Sequence, residues 1–184
     1  MTKQEIIIPR DWCIERHRLT NHMYDAYLPY EIHLRMVVQA AEDFIQLYLD
    51  SFGGDEDALK EIIFNACWGH DLIEDTRTSY NDVKKVLGQE AADIVYAVSN
   101  EKGRIRSERA NDKYYEGIRN TEGAVFVKMC DRIANVQYSK MTKSRMFDVY
   151  KKENEHFITQ LGFNGLTLHP YKKMCDYLIK LLND

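Results

Sequence analysis

Apolar residues return every three or four positions over long stretches of this chain, and that spacing constrains the fold more than any other feature. Leu34, Val37, Val38, Ala41, Phe44, Ile45 and Tyr48 share one face of a helix that follows Pro29. Leu59, Ile62, Ile63, Ala66, Cys67 and His70 repeat the pattern after an acidic first turn at Asp55, Glu56 and Asp57. Shorter runs follow at Val83, Val86 and Leu87, and at Ala91, Ile94, Val95 and Val98. Val125, Met129, Ile133 and Val136 mark a strong helix, and further helices are predicted at about 144–161 and 170–182. Breaks fall between these runs, at 51–54, Gly88, 120–123 and 162–165. Ser79 with Asp82 three residues on predicts a capped helix start. The charged stretch 101–113 reads as a surface loop merging into a helix through Ala110, Tyr114 and Ile118. Nine glycines and three prolines in 184 residues are too few for many short strands joined by turns. The expectation is an all-α, single-domain helical bundle spanning 1–184, with about eight helices.

Charge and cysteine content exclude several roles. Lys plus Arg total 25 against 29 Asp plus Glu, a net charge of −4, which is not the basic footprint of a nucleic-acid binder. No apolar run approaches the roughly 20 residues of a membrane span. The N-terminal residues, with acid at Glu5 and three consecutive aliphatics, predict no signal peptide. Cys13, Cys67, Cys130 and Cys175 are widely spaced and form no CxxC pair, as expected of reduced, buried thiols in a cytoplasmic protein. Tyr and Met residues on the outer helices leave a homodimer open, although a core role explains most of them.

Three elements carry chemistry. In 69–76, His70 takes the next place of an apolar stripe and therefore points inward, with Asp71 beside it. A buried carboxylate must meet a cation or strong donors. A metal ion satisfies both residues, since imidazole and carboxylate together suit Mn²⁺, Fe²⁺, Zn²⁺ or Mg²⁺. Glu74 follows His70 by four residues and so lies on the same helical face, and Asp75 stands next to it. A helix end with a capped carboxylate pair accounts for this segment equally well. In the second element, Lys128, Asp131 and Asn135 align at i, i+3 and i+7 on an otherwise apolar helix. They form either a partnered buried stripe or a solvated face with an ion pair worth under about 1 kcal/mol. The third element is Pro29-Tyr30-Glu31-Ile32-His33, where a lone His33 is more often a cap or a surface residue than a ligand.

Together, in this order, the three elements resemble the HD superfamily of metal-dependent phosphohydrolases. Within it they resemble the (p)ppGpp hydrolase domain of the RelA/SpoT family and its small stand-alone members. Pro29-Tyr30-x-x-His33 matches that family's first ligand motif, and His70-Asp71-x-x-Glu74-Asp75-Thr76 its HD…ED motif. Lys128-Met129-Cys130-Asp131-Arg132-Ile133-Ala134-Asn135 is similar to its (L/I)KLADRLHN motif. The likeness covers roughly 12–150, leaving helices of 151–184 as a packing extension.

The resemblance implies that His33, His70, Asp71 and Asp131 ligate one divalent ion, usually Mn²⁺. It implies that Glu74 and Asp75 handle the hydrolytic water, and that Asn135 contacts the nucleotide. Arg106, with Arg109 close by, falls where small members carry a basic residue near the phosphates; Lys128, Arg18 and His22 complete the substrate-side candidates. The family's basic pair upstream of the first His falls by length on His22 and Met23, and the proline after that His is Leu34. The implied activity is removal of the 3′-diphosphate from guanosine 3′,5′-bis(diphosphate)-type alarmones. The alternatives are an HD phosphohydrolase acting on another nucleotide, such as a nucleoside monophosphate, and an inactive nucleotide-binding module.

Overall fold

The computed structural model describes residues 7–99, 103–163 and 169–184, and of Arg106 and Ser107 the backbone alone. The N-terminal residues 1–6, the turn at 164–165 and the Arg106 side chain therefore lie outside the described residues. Among those described there are eleven helical segments where about eight were expected. Two of them, α4 (Leu72–Asp75) and α7 (Arg106–Arg109), are single turns too short to show an apolar period. The others are α1 (Pro9–Leu19), α2 (Glu31–Leu49), α3 (Glu56–Gly69), α5 (Tyr80–Leu87), α6 (Gln89–Val98), α8 (Asp112–Asn120), α9 (Ala124–Met141), α10 (Met146–Gln160) and α11 (Lys172–Asn183). The one extended pairing among the described residues is an isolated bridge between Met23 and Pro29, which closes the loop ahead of α2.

α9 is the axis of the molecule. It packs on α2, α3, α6, α8, α10 and α11, and twelve of its side chains, including Phe126, Val127, Met129 and Ile133, are buried. Truncating Phe126 or Ile133, both fully buried, to Ala would cost about 2–5 kcal/mol through lost apolar transfer and the cavity left behind. The start of α9 depends on Gly123, at φ +79°, where an added Cβ would stand 2.8 Å from Ile94 Cδ1. Both the backbone conformation and the close approach of α6 require glycine there. α5 opens with the expected capping box: Ser79 N donates to Asp82 Oδ2 at 2.9 Å, and Ser79 Oγ accepts from Asp82 N at 3.3 Å. All four cysteines are free and buried. No helix among the described residues is long and apolar enough to cross a membrane.

One local expectation fails in a way that shapes the site. The helix carrying His70 does not run on through Glu74. α3 ends at Gly69, Asp71 sits at φ −103°, ψ 3°, and a new turn, α4, starts at Leu72. Gly69 explains the tight packing at this point, because a Cβ there would stand 2.6 Å from Leu87 Cδ1. Glu74 and Asp75 are therefore aimed by α4, not by the helical register of His70.

Candidate active site

Four buried or near-buried groups from three elements meet at the centre of the bundle. His33, in the first turn of α2, and His70, just past α3, are each 1% exposed. Their Nε2 atoms face each other at 3.2 Å. Asp71 Oδ2 lies 2.7 Å from His70 Nε2 and 3.6 Å from His33 Nε2. Asp131, midway along α9, brings Oδ1 to 3.3 Å from His33 Nε2 and 3.8 Å from His70 Nε2. Ligand atoms of His33, His70 and Asp71 all lie within 4.8 Å of one another, a spacing that suits one metal ion. Burial rules out the surface alternatives for His33 and for Asp131.

The donor chemistry fits a divalent cation. Nδ1 of His70 lies 2.9 Å from the Cys67 carbonyl oxygen, which fixes the proton on Nδ1 and turns the Nε2 lone pair toward the cluster. Two imidazole nitrogens cannot face each other at 3.2 Å beside two carboxylates unless a proton or a cation lies between them. Without a metal, a proton must serve. Burial alone would lower the His33 pKa, but Asp131 and Asp71 outweigh it and hold it at about 9. Burial would likewise raise both carboxyls. The His70 and His33 rings hold Asp71 well below the usual carboxylate range, and Lys128 with His33 does the same for Asp131.

A second layer of bonds orients these groups. The Tyr30 hydroxyl, at the start of α2, donates to Asp71 Oδ2. Lys128 Nζ lies 2.9 Å from Asp131 Oδ2 and 5.8 Å from the centre of the Tyr114 ring. Asn135 Nδ2 donates to Asp131 Oδ1 at 2.5 Å and to its carbonyl oxygen at 3.1 Å, and accepts from Tyr24 Oη at 3.2 Å. Asn135 thus steadies Asp131 as well as facing the cleft.

The cleft in front of the cluster has a volume of about 200 Å³ and brings together Tyr30, His33, Asp71, Glu74, Asp75, Arg109, Lys128, Asp131, Arg132 and Asn135. A third of the Asp75 side chain is exposed. Partial burial, then the neighbouring Asp71 and Glu74 charges, nevertheless raise its carboxyl pKa to about 7. Arg109 lines the cleft with a buried Nε that has no hydrogen-bond partner among the described residues. His22 stands at the margin, its ring stacked on Tyr30 at 3.8 Å and its Nε2 3.9 Å from Asp75 Oδ2. Arg18 is not brought in: its side chain is 61% exposed and pairs with Glu31. The larger cleft of about 820 Å³, between α3, α6 and α8, contains none of the candidate residues.

The sequence pattern alone assigns no role to Tyr24, Tyr30 or Arg132. Tyr30 lies inside a quoted motif, so the signal was present. Arg132 is nearly buried, with its guanidinium 4.2 Å from the Phe157 ring centre, 4.8 Å from that of Tyr150 and 3.3 Å from Glu153 Oε2. Those partners come from α10, more than 15 residues downstream, where no local pattern announces them.

Fold and site together define an all-helical, HD-type domain with a His-His-Asp group placed to hold a metal. Comparison with known proteins agrees on the fold. A solved structure described as a metazoan ortholog of SpoT that hydrolyses ppGpp and plays a role in starvation responses superimposes with a TM-score of 0.64 at 19% identity, covering 96% of this chain and 97% of that one. In sequence, the chain is 28% identical over 68 residues to the guanosine-3′,5′-bis(diphosphate) 3′-pyrophosphohydrolase MESH1 of Drosophila melanogaster, and 28% over 75 residues to that of Danio rerio. These matches span 37% and 41% of this chain, and 38% and 42% of those relatives. No protein-family model matches the chain.

Proposed function

We propose that this chain is a metal-dependent nucleotide pyrophosphohydrolase that removes the 3′-diphosphate from guanosine 3′,5′-bis(diphosphate)-type alarmones, giving GDP or GTP and pyrophosphate. The observation that carries the proposal is the buried His33-His70-Asp71-Asp131 cluster, opening onto a cleft that holds both acids, Glu74 and Asp75, and three cations, Lys128, Arg109 and Arg132. The likeness to MESH1 and to the SpoT ortholog supports the choice of substrate.

When bound by these four side chains, a divalent ion, with Mn²⁺ as our first choice, supplies Lewis acidity toward a phosphoryl oxygen and acidifies a water. The chain's own groups do the rest. Asp75 takes the proton of the attacking water and returns it to the leaving 3′-oxygen, and Glu74 orients that water beside it. Lys128 holds Asp131 in place, while Arg109 meets phosphate oxygens with a guanidinium that has bonding capacity to spare. The hollow at the cluster, about 200 Å³, is below the usual 300–1,000 Å³ of small-molecule sites. It takes the diphosphate end. An adjoining hollow of about 370 Å³, which shares Ala110, Tyr115 and Arg132, takes the nucleoside end.

A second substrate class is favoured by one feature. The upstream basic pair of the resembled family is replaced by His22 and the exposed Met23, which weakens the demand for a polyphosphate. Turnover of ppGpp, pppGpp and nucleoside mono-, di- and triphosphates with Mn²⁺ separates the two. Pyrophosphate from ppGpp supports the proposal, and orthophosphate from monophosphates favours the second class. No turnover of any of them, with nucleotide still bound, overturns both and leaves a binding module.

A further inference from the structure

We infer that a hollow separate from the catalytic cleft carries a second anion site, formed by Arg16, Arg77 and Lys85 beside Trp12, which binds a diphosphate group. A separate hollow of about 250 Å³ is lined by Trp12 and Arg16 from α1, by Arg77 and Thr78 after α4, and by Asp82 and Lys85 from α5. None of these residues lines the catalytic cleft. Three cations therefore converge in a chain whose net charge is −4.

Their counter-charge is missing. Among the described residues, no carboxylate oxygen lies within 4.0 Å of Arg16, Arg77 or Lys85. Asp82 is the one carboxylate in the lining, and its Oδ2 is committed to Ser79 N at 2.9 Å and Ser79 Oγ at 2.6 Å, inside the capping box of α5. Arg16 and Lys85 act on it only across space. The Arg16 Nε is buried and without a hydrogen-bond partner, although buried donors in native proteins are nearly always satisfied. Its guanidinium is held 5.6 Å from the centre of the Trp12 ring, so the donor is positioned rather than mobile. A fork of guanidinium donors with a third cation matches the oxygens of a diphosphate better than a single carboxylate. Arg77 follows Thr76, the residue that caps α4. A ligand here would fix the segment ending the turn that carries Glu74 and Asp75.

The site does not depend on the proposed hydrolase activity, and its test needs none. Pyrophosphate and GDP are titrated separately into the metal-free chain carrying Trp68→Phe, so that fluorescence reports Trp12 alone. The Arg16→Gln/Arg77→Gln variant is measured in parallel. The expected result is a saturable Trp12 response whose Kd rises at least tenfold in the double variant, with unchanged helical circular dichroism. Equal affinities for the two probes locate recognition in the diphosphate, and tighter GDP extends it to a nucleoside; both support the site. Calorimetry on the chain with both tryptophans repeats the comparison without the Trp68 change. A silent Trp12, or an affinity unmoved by Arg16→Gln/Arg77→Gln, overturns the inference.

Discussion

The inner wall of the cleft, His33, His70, Asp71 and Asp131, is buried and cross-bonded, whereas its rim, His22 and Arg109, with Arg18 beyond it, is partly exposed and sparsely tied. On the wall most polar groups are tied by close bonds: Tyr30, at the start of α2, on Asp71, the Cys67 carbonyl of α3 on His70, and Lys128 and Asn135, on α9 itself, on Asp131. The rim answers to water. A buried ionisable group must be matched by charge or hydrogen bonds, so its neighbours are restricted in type and spacing. An exposed cation pays no such penalty and can be exchanged or displaced. The wall should therefore break under single substitutions and the rim should bend.

The largest effect is expected from Asp131→Ala. It removes a proposed ligand and leaves Lys128 buried without its carboxylate, which should cost about 3–5 kcal/mol. Metal binding and turnover should both vanish while circular dichroism stays helical. The double variant Asp131→Ala/Lys128→Met should recover stability without recovering metal, since the orphaned charge has gone and the ligand has not. Full turnover in Asp131→Ala after metal stripping and Mn²⁺ re-addition would remove this wall from the chemistry.

Next come the acids between wall and rim. Glu74→Gln and Asp75→Asn should each retain metal and slow turnover by about 10²-fold or more, the usual loss of a positioned acid-base group. Unchanged rates in both would exclude them from the reaction. Tyr30→Phe tests the wall's outer layer. Losing the hydrogen bond to Asp71 should weaken metal affinity by about 10–100-fold with little change in fold, read by metal titration.

Asp75 also makes a prediction about pH. Its folded pKa, about 7, lies above the ordinary carboxylate value of about 4. Between those values the folded chain binds more protons than the unfolded one, so stability falls as pH rises from about 4 to 7. Asp75→Asn removes that dependence. In metal-free protein the Tm difference, variant minus parent, should grow across this window and level off above pH 7. A difference flat from pH 4 to 8 would show that the carboxyl is not shifted.

The same contrast explains what the sequence could reveal. Long apolar periods marked α2, α3, α9, α10 and α11 because each buries one continuous stripe. α1 was not anticipated, since its inward positions include Cys13 and His17 rather than a run of aliphatics. α4 and α7 are single turns fixed by their surroundings. The break at His70 is hidden for a related reason: nothing local distinguishes a helix that continues from one that ends at Gly69. Within the site, the wall was legible in the motif spacing, because burial limits which residues can stand there. The contacts of Arg132 with Phe157 and Tyr150 were not, because they join α9 to α10 by tertiary packing alone.

The smallest effect is expected from Arg18, which sharpens where the rim ends. Its guanidinium donates to Glu31, the first residue of α2, and Arg35 Nη2 already stands 3.9 Å from the other oxygen of that carboxylate. Arg18→Ala thus leaves Glu31 near a cation, and an exposed pair of this kind is worth under about 1 kcal/mol. Tm, kcat and KM should all remain near those of the parent. A tenfold rise in KM at constant kcat would instead mean that Arg18 leaves Glu31 to meet the substrate. The rim would then extend one helix further out than the cleft now reaches, and Glu31→Gln, which frees Arg18, should lower KM in turn.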